Sequence, residues 1–312
     1  MSGGHDGSAV VADDTAAVIA RRRHYAEFFG DAPAPEGYGV VVGNCQAESI
    51  RLVVSNDAHP GVRVPAVHEM DAADAERLHR LLAGAAFLIV QPIRDDYRGL
   101  PLGTAQLRAA LPASARTVVV PSLRYGGLQP FQAAIRGPGV EEDPPLVAYH
   151  DVRLLAEAAR LPVASALAPS VVRAVAEDSV AELRRREDLG VDVVASDLYA
   201  PVVADLARTV NHPGNAVFLP LGERIVAALG APGTAVDPGR PILAGVQAPL
   251  EPWVVEAWGL DAEPRRDWIV AGETLAADTV AEEHRRWYVA HPEFVTAAVE
   301  RLAPLLRRWR AA

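Results

Sequence analysis

Tyr38-Gly39-Val40-Val41-Val42-Gly43-Asn44-Cys45-Gln46-Ala47-Glu48-Ser49-Ile50 is the stretch whose reading decides the fold. A β-branched run bounded by glycine leads into Gly43-Asn44-Cys45-Gln46, and an amphipathic run follows at once. The first reads as a buried strand, and Ala47 to Val54 reads as a helix. The turn between them sits at the carboxyl end of a strand and the amino end of a helix. Backbone N–H groups and the positive end of the helix dipole converge there. The one cysteine in 312 residues occupies that turn. A helix N-terminus favours the thiolate, which is the nucleophilic form.

Outward from this turn, strands and helices alternate. Val62 to Val67 reads as a second strand, and Asp71 to Ala83 as a helix with Leu78, Leu81 and Leu82 on one face. Ala85 to Val90 is a buried strand ending in Gln91-Pro92-Ile93-Arg94-Asp95-Asp96-Tyr97-Arg98-Gly99. Thr104 caps a short helix to Leu111, and Arg116 to Val120 is a strand ending in Pro121-Ser122-Leu123-Arg124-Tyr125-Gly126-Gly127. This pattern predicts an α/β fold, a parallel sheet flanked by helices. Ligands of open α/β sheets bind at the carboxyl ends of the strands. Three such ends carry unusual residues: Gly43 to Gln46, Gln91 to Arg98, and Ser122 to Tyr125.

Residues 1–13 are polar and small, and are expected to be disordered. Asp14-Thr15 would cap a helix over Ala16 to Phe29. From Leu146 onward the pattern is mostly helical. His150 or Asp151 leads into a helix to Arg160, and Ser170 begins another to Asp188. Val191 to Val194 reads as a short strand, and Ser196 caps a helix to about Thr209. Asn211-His212-Pro213-Gly214-Asn215 breaks the chain before a helix over Ala216 to Leu229. Pro232 to Pro252 is loop-rich, and two helices divided near His291-Pro292 end the chain. The expected organisation is an α/β catalytic core over 14–230 and a helical extension over 231–312 packed on it.

Half the residues are apolar and 22% charged, as in an ordinary globular enzyme. A net charge of −10 argues against nucleic acid as a partner. A single cysteine forbids an internal disulfide and suits a reducing compartment, so the expected location is cytoplasmic. Met1 to Ser8, polar and small, are not expected to act as a secretion signal, and no apolar run reaches the roughly 18 residues that span a bilayer. Walker, G-x-G-x-x-G and G-x-S-x-G motifs and metal-ligand spacings are missing.

Cys45 reads equally as a buried structural thiol or as a nucleophile. Asn44 and Gln46 are amides that either donate to an oxyanion or serve the turn itself. Among nine histidines, His24, His79 and His284 lie on charged helix faces and are expected to face solvent. His212, in Asn211-His212-Pro213, is the favoured general base. Its bland alternative is a histidine at a helix C-terminus. His150, beside Asp151, is second choice, with an N-cap pair as its alternative. Arg94, Arg98 and Arg124 at strand ends suit phosphate or carboxylate, assisted by Arg51. Each alone fits a solvated ion pair with Asp95, Asp96 or Glu48 as well. Trp253, Trp258, Trp268 and Trp287 could offer sugar platforms, although helix tryptophans are more often core anchors.

Gly43-Asn44-Cys45-Gln46, Gln91-Pro92-Ile93 with Asp95-Asp96-Tyr97-Arg98, Pro121-Ser122-Leu123, Tyr149-His150-Asp151 and Asn211-His212-Pro213 occur in the order seen in one family. From about residue 38 to about 230 the chain resembles the WcbI family of polysaccharide-biosynthesis acetyltransferases. The resemblance implies an SGNH-hydrolase-like or flavodoxin-like three-layer core with a helix-rich C-terminal part. It implies a cytoplasmic enzyme using coenzyme A as acetyl donor and a sugar hydroxyl as acceptor. Cys45 stands where those hydrolases have serine, and Asn44 where they often have aspartate. By position Gly43, Asn44, Cys45 and Gln46 form the nucleophile turn, with the Gly43 and Gln46 amides and Asn44 at the oxyanion. Asn211 and His212 form the late base motif. The loops Gln91 to Arg98 and Ser122 to Tyr125 line the pocket by position; Arg94, Arg98 and Arg124 are assigned to coenzyme A on their charge alone, and Gly43, Gln91, Tyr125, His150 and Asn211 complete the cofactor-binding candidates. A thioesterase, a non-catalytic coenzyme A- or glycan-binding protein, and a homodimer also fit the residues.

Overall fold

The computed structural model describes residues 7–136, 142–230 and 233–310, and the chain falls into two compact units. Unit 1 comprises residues 1–122, 191–193 and 222–236; unit 2 comprises 123–190, 194–221 and 237–312. The units interleave along the chain, with breaks after Ser122, Gly190, Val193, Leu221 and Val236. Fold assignment from the opening turn is unaffected, because that turn and its sheet lie within unit 1.

Unit 1 is built on strands β1 (Gly39–Val42), β2 (Gly61–Val62), β3 (Phe87–Val90) and β4 (Arg116–Val119). All are parallel, in the order β2-β1-β3-β4. Strands β1 and β3 are buried throughout, which is why they read as continuous apolar runs instead of alternating ones. A Cβ at Gly39 would lie 2.1 Å from the Phe87 ring, so the closest approach of these strands requires glycine. Val40, Val42, Leu88 and Val90 pack with Leu78 and Leu82 in one core.

The helices of unit 1 begin with α1 (Gly7–His24) and α2 (Ala26–Phe29), so helix replaces the disorder expected for 7–13. Residues 1–6 of that expectation lie outside the described residues. Helix α3 (Gln46–Val54) follows β1, and α4 (Ala72–Leu82) is capped by Asp71, which accepts from the Asp74 N–H. Helix α5 (Thr104–Ala109) is capped by Gly103, whose N–H donates to Gln106, and not by Thr104. The Thr104 hydroxyl instead accepts from Ile93 N–H. No strand forms over 191–194; Asp192 accepts from Val119 N–H through its carboxylate and donates its own N–H to Val119.

Unit 2 is helical with small antiparallel ladders. Its elements begin with β5 (Gln132–Ala133), β6 (His150–Asp151), α6 (Val152–Ala158) and α7 (Pro169–Glu187). A hairpin of β7 (Ala207–Thr209) and β8 (His212–Pro213) leads into α8 (Asn215–Leu229), whose residues from Gly222 belong to unit 1. Then come β9 (Val246–Gln247), α9 (Pro252–Trp258), β10 (Trp268–Val270), β11 (Glu273–Leu275), α10 (Ala277–Ala290) and α11 (Pro292–Arg310). Strands β11, β10 and β9 form an antiparallel sheet that the sequence reading missed.

The helix expected from Ser196 to Thr209 is replaced by 3-10 turns at Ser196–Tyr199 and Ala204–Leu206 and by strand β7. Pro201 lacks a donor and pushes the residue before it out of the helical region. The buried Glu187 carboxylate also takes the Ala195 and Ser196 N–H groups at 2.6 and 2.9 Å.

Candidate active site

In unit 1 the strand order reverses direction between β1 and β3, which makes the crevice beyond their carboxyl ends a topological switch point. Two segments leave the sheet there: Gly43-Asn44-Cys45 after β1, and Gln91 after β3. Cys45 caps α3, and its neighbours Gly43, Gln46 and Ala47 are buried, leaving Asn44 and Cys45 as the half-buried side chains of the turn.

The turn is fastened by carboxamides. The Asn44 N–H donates to Gln91 Oε1 at 2.8 Å, and Gln91 Nε2 donates to Gln46 Oε1 at 2.9 Å. The Gln46 N–H donates to the Asn44 side-chain oxygen at 2.9 Å, and Asn44 Nδ2 donates to Ser122 Oγ at 2.9 Å. A Cβ at Gly43 would lie 2.3 Å from Gln91 Oε1, so glycine is what lets Gln91 reach the turn. These bonds correct the expected oxyanion donors: the Gln46 N–H is spent on Asn44, and the Gln46 side chain is buried beneath the turn. Gln91 is likewise a buried fastener of the turn and no donor-contact residue. Ser122, absent from the candidates although its loop was singled out, belongs to this network as the first residue after β4 and Val120-Pro121.

Of the basic residues at strand ends in unit 1, Arg94 is exposed, and Arg98 donates to the His68 carbonyl at 2.8 Å. Arg98 has φ +56°, and its loop is held by Gln106 donating to Asp96 at 2.7 Å. Arg51 is bound at 2.7 Å to Glu48 on its own helix, the ion pair that was its bland alternative.

In unit 2, His212 lies on β8 in a hairpin and not at a helix C-terminus. The Tyr149 hydroxyl lies 2.9 Å from Asn211 Oδ1 and 3.1 Å from His212 Nε2, with the two rings edge to face. Burial lowers the His212 pKa to about 4, against a smaller opposing effect of its hydrogen bond with the Val246 backbone. The ring is therefore neutral at pH 7, the form able to accept a proton. Gly214 next to it is obligatory, since a Cβ would lie 1.9 Å from the Asp205 carbonyl.

His150 is a core residue. It is 1% exposed, stacks on Phe294 at 4.7 Å and shares a 2.8 Å hydrogen bond between Nδ1 and the Tyr288 hydroxyl. This excludes it from direct contact with a cofactor and from the role of base. His284, expected to face solvent, is also buried, its Nε2 at 3.2 Å from the Pro145 carbonyl. Tyr125 is buried and stacked on Tyr199 at 4.6 Å, and burial pushes its hydroxyl pKa up. Arg124 is exposed, and with Tyr125 it borders a cavity of about 340 Å³ that also has Arg186 and Arg301 in its wall. Among the described residues no group of three or more His, Cys, Asp or Glu side chains could hold a metal, and no helix is long and apolar enough to cross a membrane.

An α/β protein with a thiol at the switch point of a parallel sheet is the class that fold and site define. Residues 38–234 match the family model described as the polysaccharide biosynthesis enzyme WcbI. The chain belongs to the WcbI family of polysaccharide biosynthesis enzymes, as its ordered motifs suggested. No curated protein matches it in sequence. A solved structure of WcbI, a novel polysaccharide biosynthesis enzyme, is similar with 20% identity and a TM-score of 0.73, covering 89% of this chain and 98% of that one. It is described as the native protein without a disulfide bond between coenzyme A and one of its cysteines. At that identity the likeness establishes the α/β fold.

Proposed function

We propose that this enzyme transfers an acyl group, acetyl in the simplest case, from coenzyme A to a sugar hydroxyl of a polysaccharide precursor. The observation that carries this reading is Cys45, half-buried at the first turn of α3 on a turn fixed by Gln91, Gln46 and Ser122. The chain has no second cysteine, so any thiol chemistry with coenzyme A falls to this residue. In the covalent version Cys45 sulfur attacks the thioester carbonyl, and the coenzyme A thiol leaves with a proton. The sugar hydroxyl then attacks the acyl-cysteine, its proton passing to His212 as the C–S bond breaks, and that proton returns to the departing Cys45 sulfur. In the direct version His212 takes the hydroxyl proton as the sugar attacks the thioester, the C–S bond breaks, coenzyme A leaves as a thiol carrying that proton, and Cys45 only positions the thioester. Asn44 Nδ2 and the dipole of α3 favour negative charge at the turn in both. Arg124 and Arg301 supply guanidinium groups suited to the phosphates of the donor, while Arg186 in the same wall is held by Glu182 at 2.7 Å. Use of coenzyme A fits a cytoplasmic location.

Intact-mass measurement after acetyl-CoA treatment tests the covalent version. An added acetyl group is expected on the wild-type chain and not on Cys45→Ser. Transfer by Cys45→Ser at the wild-type rate would leave only the direct version. Failure of the wild-type chain to bind coenzyme A would overturn both.

A further inference from the structure

Unit 2 contains a second cavity, of about 420 Å³, within the roughly 300–1,000 Å³ range of small-molecule sites. Its wall combines aromatic faces with hydrogen-bonding groups. Trp253, half-buried at the start of α9, meets Phe131 edge to face at 5.5 Å. Trp268 stacks on Tyr149 with ring centroids 6.1 Å apart. The other two tryptophans weighed as platforms are not in this wall: Trp287 is buried in the helical core and Trp258 donates to the Gly127 carbonyl.

Every guanidinium in the wall is paired locally, three arginines against the four carboxylates of Asp151, Glu157, Glu251 and Asp278. Arg153 bonds Asp151 and Glu251 at 2.6 and 2.9 Å, Arg285 bonds Glu157 at 2.9 Å, and Arg266 bonds Asp278 at 2.7 Å. With each guanidinium already held by a carboxylate, a polyphosphate finds no uncompensated cation here. Two lining amides have the opposite need. Oε1 of Gln129 and Oε1 of Gln132 are buried acceptors to which no protein group donates. A buried acceptor without a donor is costly, and a hydroxyl-rich ligand supplies donors. Tyr149 finally links the cavity to the candidate base, because its hydroxyl lies 3.1 Å from His212 Nε2.

We infer that this cavity binds the acceptor as a neutral saccharide, one or two hexose residues stacked on Trp253 with hydroxyls toward Gln129 and Gln132. The inference rests on the acyl-transfer reading for the word acceptor, but the binding itself does not depend on it. Aromatic stacking with a few fixed polar groups suits a sugar ring, and the compensated charges select against the coenzyme A phosphates.

The full chain is titrated with methyl α- and β-glycosides of glucose, galactose and mannose and their disaccharides, followed by saturation-transfer NMR. At least one saccharide is expected to bind, and to bind about 10-fold more weakly to Trp253→Ala and to Gln132→Leu. The thermal shift given by coenzyme A is expected to stay as in wild type in Trp253→Ala; Gln132 also lines the cavity of Arg124, Arg186 and Arg301, so Gln132→Leu is read by saccharide affinity alone. Gln132→Leu decides the matter if Trp253→Ala fails to fold. Binding of no saccharide, wild-type affinity in Gln132→Leu, or displacement of the saccharide by coenzyme A would each overturn the inference. If coenzyme A does not bind while a saccharide binds through Trp253, the acyl-transfer reading falls and this site stands.

Discussion

Gln91 donates from Nε2 to Oε1 of Gln46 over 2.9 Å, pairing two buried carboxamides beneath the turn that presents Cys45. One end of the pair belongs to the residue after β3 and the other to the first residue of α3. Gln91→Ala removes this bond and the one to Asn44 N–H, and leaves polar groups buried without their donor or acceptor. A destabilisation of about 2–4 kcal/mol in urea titration is expected. Combined with Gln46→Ala the loss is expected to be less than the sum of the two single losses, because both act on one network.

Gly43→Ala drives a methyl group to 2.3 Å from Gln91 Oε1, a side chain already committed at both ends. The expected cost is about 1–3 kcal/mol, with coenzyme A binding weakened as the turn shifts. Denaturation and a coenzyme A thermal shift on the same variant check both parts.

Acid sensitivity follows from the buried imidazoles. Desolvation, with a smaller contribution from nearby His284, lowers His150 from 6.5 to about 4 in the folded protein. The unfolded chain therefore binds this proton first on acidification. Stability is complete above about pH 6.5 and is lost as pH falls toward 4, by on the order of 3 kcal/mol for this ring. His150→Phe is expected to flatten that part of a stability-against-pH curve. His212, also lowered to about 4, would keep a remaining slope.

Tyr149→Phe deletes the hydroxyl between Asn211 and His212. With His212 as base, kcat for acyl transfer is expected to fall about 10-fold while the thermal midpoint moves little. An unchanged kcat and an unchanged pH profile would remove His212 from the reaction.

The strand-to-helix turn at Cys45 was legible because β-branched residues, glycine and an amphipathic run each constrain the backbone locally. The two-glutamine fastening was not, since Gln46 and Gln91 stand 45 residues apart and an amide gives no periodic signal. His150 was misread for the same reason: its partner Tyr288 lies 138 residues along the chain. Pro201 was the available sign against a helix over 196–209. Strands β9 to β11 are two or three residues each, too short for alternation to show.

The fastening of the Cys45 turn by Asn44, Gln46, Gln91 and Ser122 involves no ionisable side chain. Amides and hydroxyls hold the same protonation state across the whole range in which thiols and imidazoles titrate. These four bonds are thus indifferent to proton activity. An aspartate in place of Asn44 would have brought a carboxylate, and its charge, to the mouth of the crevice. With asparagine there, these bonds add no titration of their own to a rate-against-pH curve.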